Sequence, residues 1–403
     1  MHKIPFGDSP RPSFVPPQRL IMGPGPSPAH PRVLAAMAQP TLSHLDPAFQ
    51  GLMDVVKAGL RAVFATRNDV TFPVSGPGSA AMEMALAMTL SPGDIAVIGR
   101  NGVFGARMVE MAKRLGADVR IVDAPWGEAL DPDAVAAALR AAGPVKALAF
   151  VHAETSTGAL SDAQTLAGLG KAAGALVIAD CVTSLIGSEL RIDEWGIDIA
   201  FSGSQKCLSG PAGISPLTVS PTAIAAIKAR KTKPASWFFD LEEILAYWSA
   251  GDGARVYHHT APIQSIYGLA EALALLTEEG IEAARARHRA CGAALKAGLT
   301  AMGLDMPVQP GAAMAQLTPV RPPEGLREED IRALMLSRHG VEFGAGLGPL
   351  KGRIFRIGLM GYGAQGAHVT QGLEALDEVL THLGRGAQGA GAAAASRALD
   401  AAA

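Results

Sequence analysis

The sequence predicts an α/β protein: a mainly parallel sheet covered by helices on both faces. Three observations carry that expectation. Short apolar runs alternate with helical stretches over roughly the first 220 residues, the pattern of strand–crossover–strand units. The runs are continuously apolar rather than alternating, as strands buried on both faces must be. Glycine is abundant, at 46 residues, and aromatics make up only 5% of the chain, which suits close helix–sheet packing.

The elements follow in order. The Pro-rich start leads to MGPGPSPAHPRVLAAM, a loop feeding a short helix. Residues 48–66 carry apolar side chains at helical spacing. The stretch DVTFPVSGPGSAAMEMALAMTL reads as strand, glycine-rich turn and helix. Further strands are expected in DIAVIG (94–99), VRIVDA (119–124), VKALAFVH (145–152), ALVIAD (175–180), IDIAFSG (197–203) and SPLTVS (215–220). From 262 to 300 the pattern is helical, and the chain is expected to leave the large domain there. Strand-like segments MAQLTPVRP, VEFGAG and IFRIGLMG then recur among helices. The expected organisation is an N-terminal arm (1–20), a large domain (21–280), a small α+β domain (281–383) and a low-complexity tail (384–403). The tail, GRGAQGAGAAAASRALDAAA, has Leu399 as its one large apolar residue and reads as a mobile tail with room for some helix.

With 403 residues and 49% hydrophobic content the chain can build a large core and two domains. A net charge of -2 lacks the basic footprint of a nucleic-acid binder. Cys181, Cys207 and Cys291 fall in no metal-ligand spacing and cannot all pair, so they read as reduced thiols. The arm lacks an apolar signal core, and no apolar run is long enough to span a bilayer. Together these predict a soluble cytoplasmic protein.

The chemistry-bearing residues sit at strand ends. Asp180 closes the apolar run ALVIAD, where open α/β sheets place ligands; read alone it could equally be a helix cap or a loop carboxylate. Lys206 follows IDIAF and a Ser-Gly-Ser turn; read alone it could be an ordinary solvated lysine. Together they lie 26 residues apart, one strand–crossover–strand step. That pairing suits pyridoxal 5'-phosphate chemistry: the lysine amine forms a Schiff base with the aldehyde, and the acid keeps the pyridine nitrogen protonated so the ring accepts electrons. The turn SGPGSAAMEMAL (75–86) opens a helix and offers backbone N–H groups to a phosphate through Gly76, Gly78 and Ser79. It lacks the Gly-Lys-Ser/Thr ending of a P-loop and the G-x-G-x-x-G spacing of a dinucleotide site.

MGPGPSPAHPRVL (22–34), VSGPGSAAMEMAL (74–86), GRNGVFGARM (99–108), VHAETSTGAL (151–160), IADCVTSLIG (178–187), DEWGIDIAFSGSQKCLSGPAGISPL (193–217), YHHTAPI (257–263) and GAGLGPLKGRIFRIGLMG (344–361) extend the pattern over nearly the whole chain. In these segments the sequence resembles the class V, fold-type I aminotransferases, specifically the alanine–glyoxylate / serine–pyruvate group. The resemblance implies a seven-stranded, mainly parallel sheet, a small C-terminal domain, pyridoxal 5'-phosphate as cofactor and a homodimer with a shared active site. It implies Lys206 as Schiff-base lysine and proton shuttle, and Asp180 as partner of the ring nitrogen. Phe104 matches the aromatic that stacks on the ring, and Val182 the residue against its other face. Thr155 is implied near the ring's phenolic oxygen. Gly78, Ser79 and Gln205 match phosphate ligands, while Pro77 stands where some relatives carry serine. Tyr257 and Thr260 match residues reaching the phosphate from the neighbouring subunit. Arg356 matches the clamp on the substrate carboxylate, and Gly23, Pro24 and Gly25 the pocket lining.

The implied reaction moves an amino group from alanine or serine to glyoxylate or pyruvate by a ping-pong route. Leu347 stands where a pyridoxamine-binding relative would carry an arginine. Pyridoxamine–pyruvate and ureidoglycine–glyoxylate aminotransfer remain alternatives within the group. A cysteine desulfurase needs a mobile cysteine in the small domain and usually a histidine on the ring. Here no cysteine follows Cys291, and Phe104 takes the stacking position. The adjacent His258 and His259 point in different directions and read as structural, and Trp126 and Glu128 as loop packing.

Overall fold

A computed structural model describes residues 15–248 and 255–402. The expected N-terminal arm therefore lies largely outside the described residues. The main sheet has seven strands, in spatial order Val70–Ser75, Ile214–Val219, Ile199–Phe201, Leu176–Asp180, Ala147–Val151, Ile95–Arg100 and Asp118–Asp123. All share one direction except Ile214–Val219, which runs antiparallel to both neighbours, setting Leu217 opposite Phe72 and Phe201. Helices such as Pro47–Phe64, Gly78–Thr89, Val103–Arg114, Pro132–Ala142 and Ala163–Ala172 connect and cover the strands.

The apolar runs behave as the sequence requires in the sheet centre. Val97, Ile98, Leu148, Phe150, Val177 and Ile178 are essentially inaccessible, each such burial contributing roughly 1.5–3 kcal/mol. One run departs from the expectation of burial on both faces. VRIVDA forms the edge strand Asp118–Asp123, and Val122 is its one buried residue. A strand with a neighbour on one side only needs no continuous apolar surface.

A second core gathers around an antiparallel three-stranded sheet, Leu317–Val320, Phe355–Gly358 and Gly344–Ala345, with Phe355–Gly358 central. Helices Ile281–Ala301, Glu328–His339 and Gly366–His382 pack with it around Leu295, Phe343, Phe355 and Leu376. Leu20–Ile21 pairs in parallel with Val341–Glu342, and Met22 is buried in this core.

The tail is part helical, as expected, but it packs on the second core instead of standing free. Ala390–Asp400 is a helix, with Ala395 fully buried and Leu399 packed on the second core. The small residues are the reason. A Cβ on Gly298 would stand 2.8 Å from the Gly391 carbonyl, so glycine lets the two backbones approach. Asp377 anchors the helix entry by accepting from the Ala387 and Gly389 N–H groups. Among the described residues no helix is long and apolar enough to cross a membrane. The three cysteines are free and buried.

Candidate active site

Three neighbouring parallel strands deliver the central residues. Ala147–Val151 runs on into His152–Thr155, Leu176–Asp180 ends at Asp180, and Ile199–Phe201 leads through Ser202–Gln205 to Lys206. The register pairs Val151 with Asp180 and Asp180 with Phe201. All three segments therefore emerge together at the carboxyl edge of the sheet, where ligands bind in open α/β folds. A cavity of about 170 Å³, partly open to solvent, lies there. Gly78, Ser79, Phe104, Thr155, Asp180, Val182, Gln205 and Lys206 all line it.

Lys206 is half-buried, and its Nζ donates to the Pro24 carbonyl. Burial lowers its pKa to about 8; the nearby Arg356 cation adds to the effect, while Cys207 and Asp180 oppose it. Gly25 lies against this amine at φ +109°, and a Cβ there would fall on the lysine side chain. Asp180 is pushed up to about 7, chiefly by burial. The Val182 N–H, donating to Oδ1 at 2.9 Å, pulls it back. Among the described residues no group donates to Oδ2, so this carboxylate has an oxygen available for a proton-bearing partner.

The phosphate-sized end is built by the helix Gly78–Thr89. Pro77 at its N-cap makes no side-chain cap bond. Among the described residues the Gly78 and Ser79 amides have no acceptor, which leaves an anion-binding helix start. Gln205 Oε1 is buried without a partner beside it, although the oxygen and nitrogen of such an amide are interchangeable by a flip. A Cβ on Gly78 would stand 3.1 Å from Val182 Cγ2, so glycine keeps this corner open. The free amides, the orphaned amide side chain and the open carboxylate oxygen together fit a phosphorylated pyridine ring.

Arg356 sits in the small sheet, between Pro319 and Gly344 in register, and is buried. Its Nε donates to the Ala345 carbonyl at 2.7 Å and its Nη1 to the Thr155 carbonyl at 2.8 Å. Among the described residues it forms no ion pair. Burial lowers its pKa to about 10, and the Glu154 charge opposes this. The strand that carries it and the loop that carries Thr155 thus meet at one guanidinium with donors to spare.

Tyr257 and Thr260 do not line this cavity. Both are exposed, their hydroxyls 3.5 Å apart. His258 and His259 are locally engaged: His258 stacks on Trp237 at 4.4 Å, and His259 Nε2 lies 2.6 Å from Ser75 Oγ. Among the described residues no cluster suits a metal ion. Trp126 packs over Gly348.

Two site residues escaped the sequence reading. Glu154 is fully buried and accepts from the Phe104 and Gly105 N–H groups at 3.0 and 3.2 Å, and from the Ser156 N–H at 3.1 Å and hydroxyl at 2.6 Å. It thereby fixes the start of the helix that carries Phe104. Gly102 lacks a side chain because a Cβ there would land on the Glu154 carboxyl group. Arg107 lines the cavity, donates to Ser79 Oγ at 2.6 Å and lies 4.9 Å from the centre of the Phe104 ring. A carboxylate in the apolar segment VHAET, and an arginine one helical turn after Phe104, were the available signals.

The sheet, the second core and the strand-end cavity define a fold-type I transferase of the pyridoxal-phosphate-dependent type. The class-V aminotransferase model matches residues 24–346, and the chain belongs to that family. It is 38% identical to the alanine–glyoxylate aminotransferase of Drosophila melanogaster, over 92% of this chain and 94% of that one. The crystal structure of an alanine–glyoxylate aminotransferase from Nostoc sp. superposes with a TM-score of 0.89 at 42% identity, covering 92% and 98% of the two chains. That of the Bacillus subtilis ureidoglycine–glyoxylate aminotransferase gives 0.93 at 36% identity, covering 96% and 100%. The protein is accordingly an aminotransferase.

Proposed function

We propose that this chain uses pyridoxal 5'-phosphate to move an amino group from a small amino acid, alanine or serine, to glyoxylate or pyruvate. The observation that carries the reading is the convergence of the Lys206 amine and the Asp180 carboxylate on one cavity that also exposes a helix start. Bound, the cofactor supplies the electron sink that lets nitrogen leave one carbon skeleton and join another.

The chain's own groups divide the remaining work. Gly78, Ser79 and Gln205 would hold the phosphate, and Phe104 and Val182 would supply the apolar walls for the ring. Thr155, on the cavity wall, would serve the phenolic oxygen. Asp180 keeps a proton on the ring nitrogen; that cation in turn favours the carboxylate, which burial alone would leave half protonated near neutral pH. Lys206 is the covalent attachment point, and its amine takes the proton from the donor's Cα. Its depressed pKa leaves a substantial neutral fraction near pH 8. Arg356 grips the substrate carboxylate through its remaining N–H donors, and Gly25 keeps the space beside Lys206 small.

Tyr257 and Thr260 reach a phosphate in a second copy of the chain. Exposed Val55, Val256 and Tyr257 support a homodimer through this region, where Arg255 pairs with Asp54 and the His44 ring lies 4.9 Å from that of Tyr257. We assign the enzyme to the cytoplasm.

The test is a donor panel. Protein reconstituted with pyridoxal phosphate is offered alanine, serine, ureidoglycine and pyridoxamine, each with glyoxylate and with pyruvate. Fastest turnover with alanine or serine, with parallel double-reciprocal lines, supports the assignment. Preference for ureidoglycine or pyridoxamine replaces it with the corresponding alternative.

A further inference from the structure

We propose that Arg107 is a positioning residue for the cofactor phosphate, acting through the Ser79 hydroxyl. This rests on the reading that the cavity holds pyridoxal phosphate.

Arg107 and Phe104 are three residues apart on the helix Val103–Arg114, so their side chains are neighbours on its surface, while Met108, Val109 and Ala112 of the same helix are buried. That face lies beside the start of the helix Gly78–Thr89, and the Arg107 Nη1 donates to Ser79 Oγ at 2.6 Å. A hydroxyl has one proton and two lone pairs. With one lone pair held by the guanidinium, the Ser79 proton is left to be donated elsewhere, and the acceptor that fits beside two free helix-start amides is an anion. Among the described residues Arg107 forms no ion pair, so its charge also adds to the positive potential there. The same guanidinium packs on the Phe104 ring at 4.9 Å, which restrains that aromatic from one side. One side chain therefore ties the phosphate end of the cavity to its stacking wall.

The experiment compares equilibrium binding of pyridoxal phosphate and of unphosphorylated pyridoxal to apo-protein, in the wild type and in Arg107→Met, Arg107→Lys and Ser79→Ala. A charge-assisted contact implies that Arg107→Met weakens pyridoxal phosphate binding about ten-fold or more, with a distinctly smaller loss for pyridoxal, which senses only the packing on Phe104. Ser79→Ala does the same, Arg107→Lys recovers part of the loss, and the double variant Ser79→Ala, Arg107→Met loses less than the product of the single effects. Equal weakening of both ligands would assign Arg107 to ring packing and overturn the proposal. So would unchanged binding of both, or strictly multiplicative losses in the double variant. If Arg107→Met fails to fold, Ser79→Ala and Arg107→Lys decide by the same ligand comparison. Wild-type protein that binds neither ligand would instead overturn the cofactor assignment itself.

Discussion

Replacing Arg356 by methionine offers the sharpest quantitative test of the substrate clamp. In the folded chain Nε and Nη1 are committed to the Ala345 and Thr155 carbonyls, which fix the guanidinium plane and leave the remaining N–H groups for a ligand. Two charge-assisted hydrogen bonds to a carboxylate, at roughly 1.5–3 kcal/mol each, correspond to about 10²–10⁴ in kcat/KM at about 1.4 kcal/mol per decade. The assay is kcat/KM for alanine with glyoxylate, alongside the half-reaction of an amine that has no carboxylate. Methionine also leaves two backbone carbonyls unpaired, which costs stability. Arg356→Lys, which keeps the charge but not the planar fork, is measured beside it with melting curves for both. The expected result is a loss of that size for alanine, a smaller loss for lysine, and little change for the simple amine. An alanine kcat/KM that stays at the wild-type level, or equal losses for alanine and the amine, would refute the clamp.

Asp180→Asn should lower kcat by about 10²–10³, the cost of removing one preorganised charge contact, and yet stabilise the apo-protein near pH 8. The folded carboxyl is raised to about 7 from 3.8, so its contribution to stability falls as pH rises through that window, and Asn relieves the loss. Thermal melts of the cofactor-free protein at pH 5 and pH 8 check this; equal stability of Asn and Asp at pH 8 would contradict it. His288 is buried between the Ala284 carbonyl and the Gly361 N–H, and burial lowers its pKa to about 4. Its contribution is complete above about pH 6.5 and is lost as pH falls toward 4, to an upper bound of roughly 3 kcal/mol. A melting-temperature profile that keeps its full acid limb in His288→Gln would argue against this. Deleting residues 385–403 should lower the melting temperature, because it removes the buried Ala395 and the anchoring of Ala387 and Gly389 by Asp377; an unchanged melt would restore the reading of a mobile tail.

Residues whose local sequence also announces their backbone setting were legible without coordinates. Asp180 and Lys206 each follow a continuous apolar run, and such a run in an α/β chain fixes both the strand and the end at which it opens. Gly78 and Ser79 stand at a strand-to-helix turn, which is again a local signal. Residues that act across the fold were not legible. Glu154 works by receiving N–H groups from a helix start about fifty residues earlier, a contact that no spacing encodes. Arg107 gains its place from the closeness of two helices that never pair in sequence. The reversal of Ile214–Val219 was equally hidden, since a strand buried on both faces has the same apolar run in either direction. The tail misled for a different reason. Poverty in large apolar residues signals disorder when a segment must bury its own surface, but glycine and alanine also permit close helix contact when a groove awaits them.

Borohydride reduction of the cofactor-loaded protein, followed by peptide mass mapping, addresses the central assignment most directly. A pyridoxyl group fixed on the peptide containing Lys206, and absent from Lys206→Ala, is the expected result. The same group on another lysine, or on none, would contradict the account.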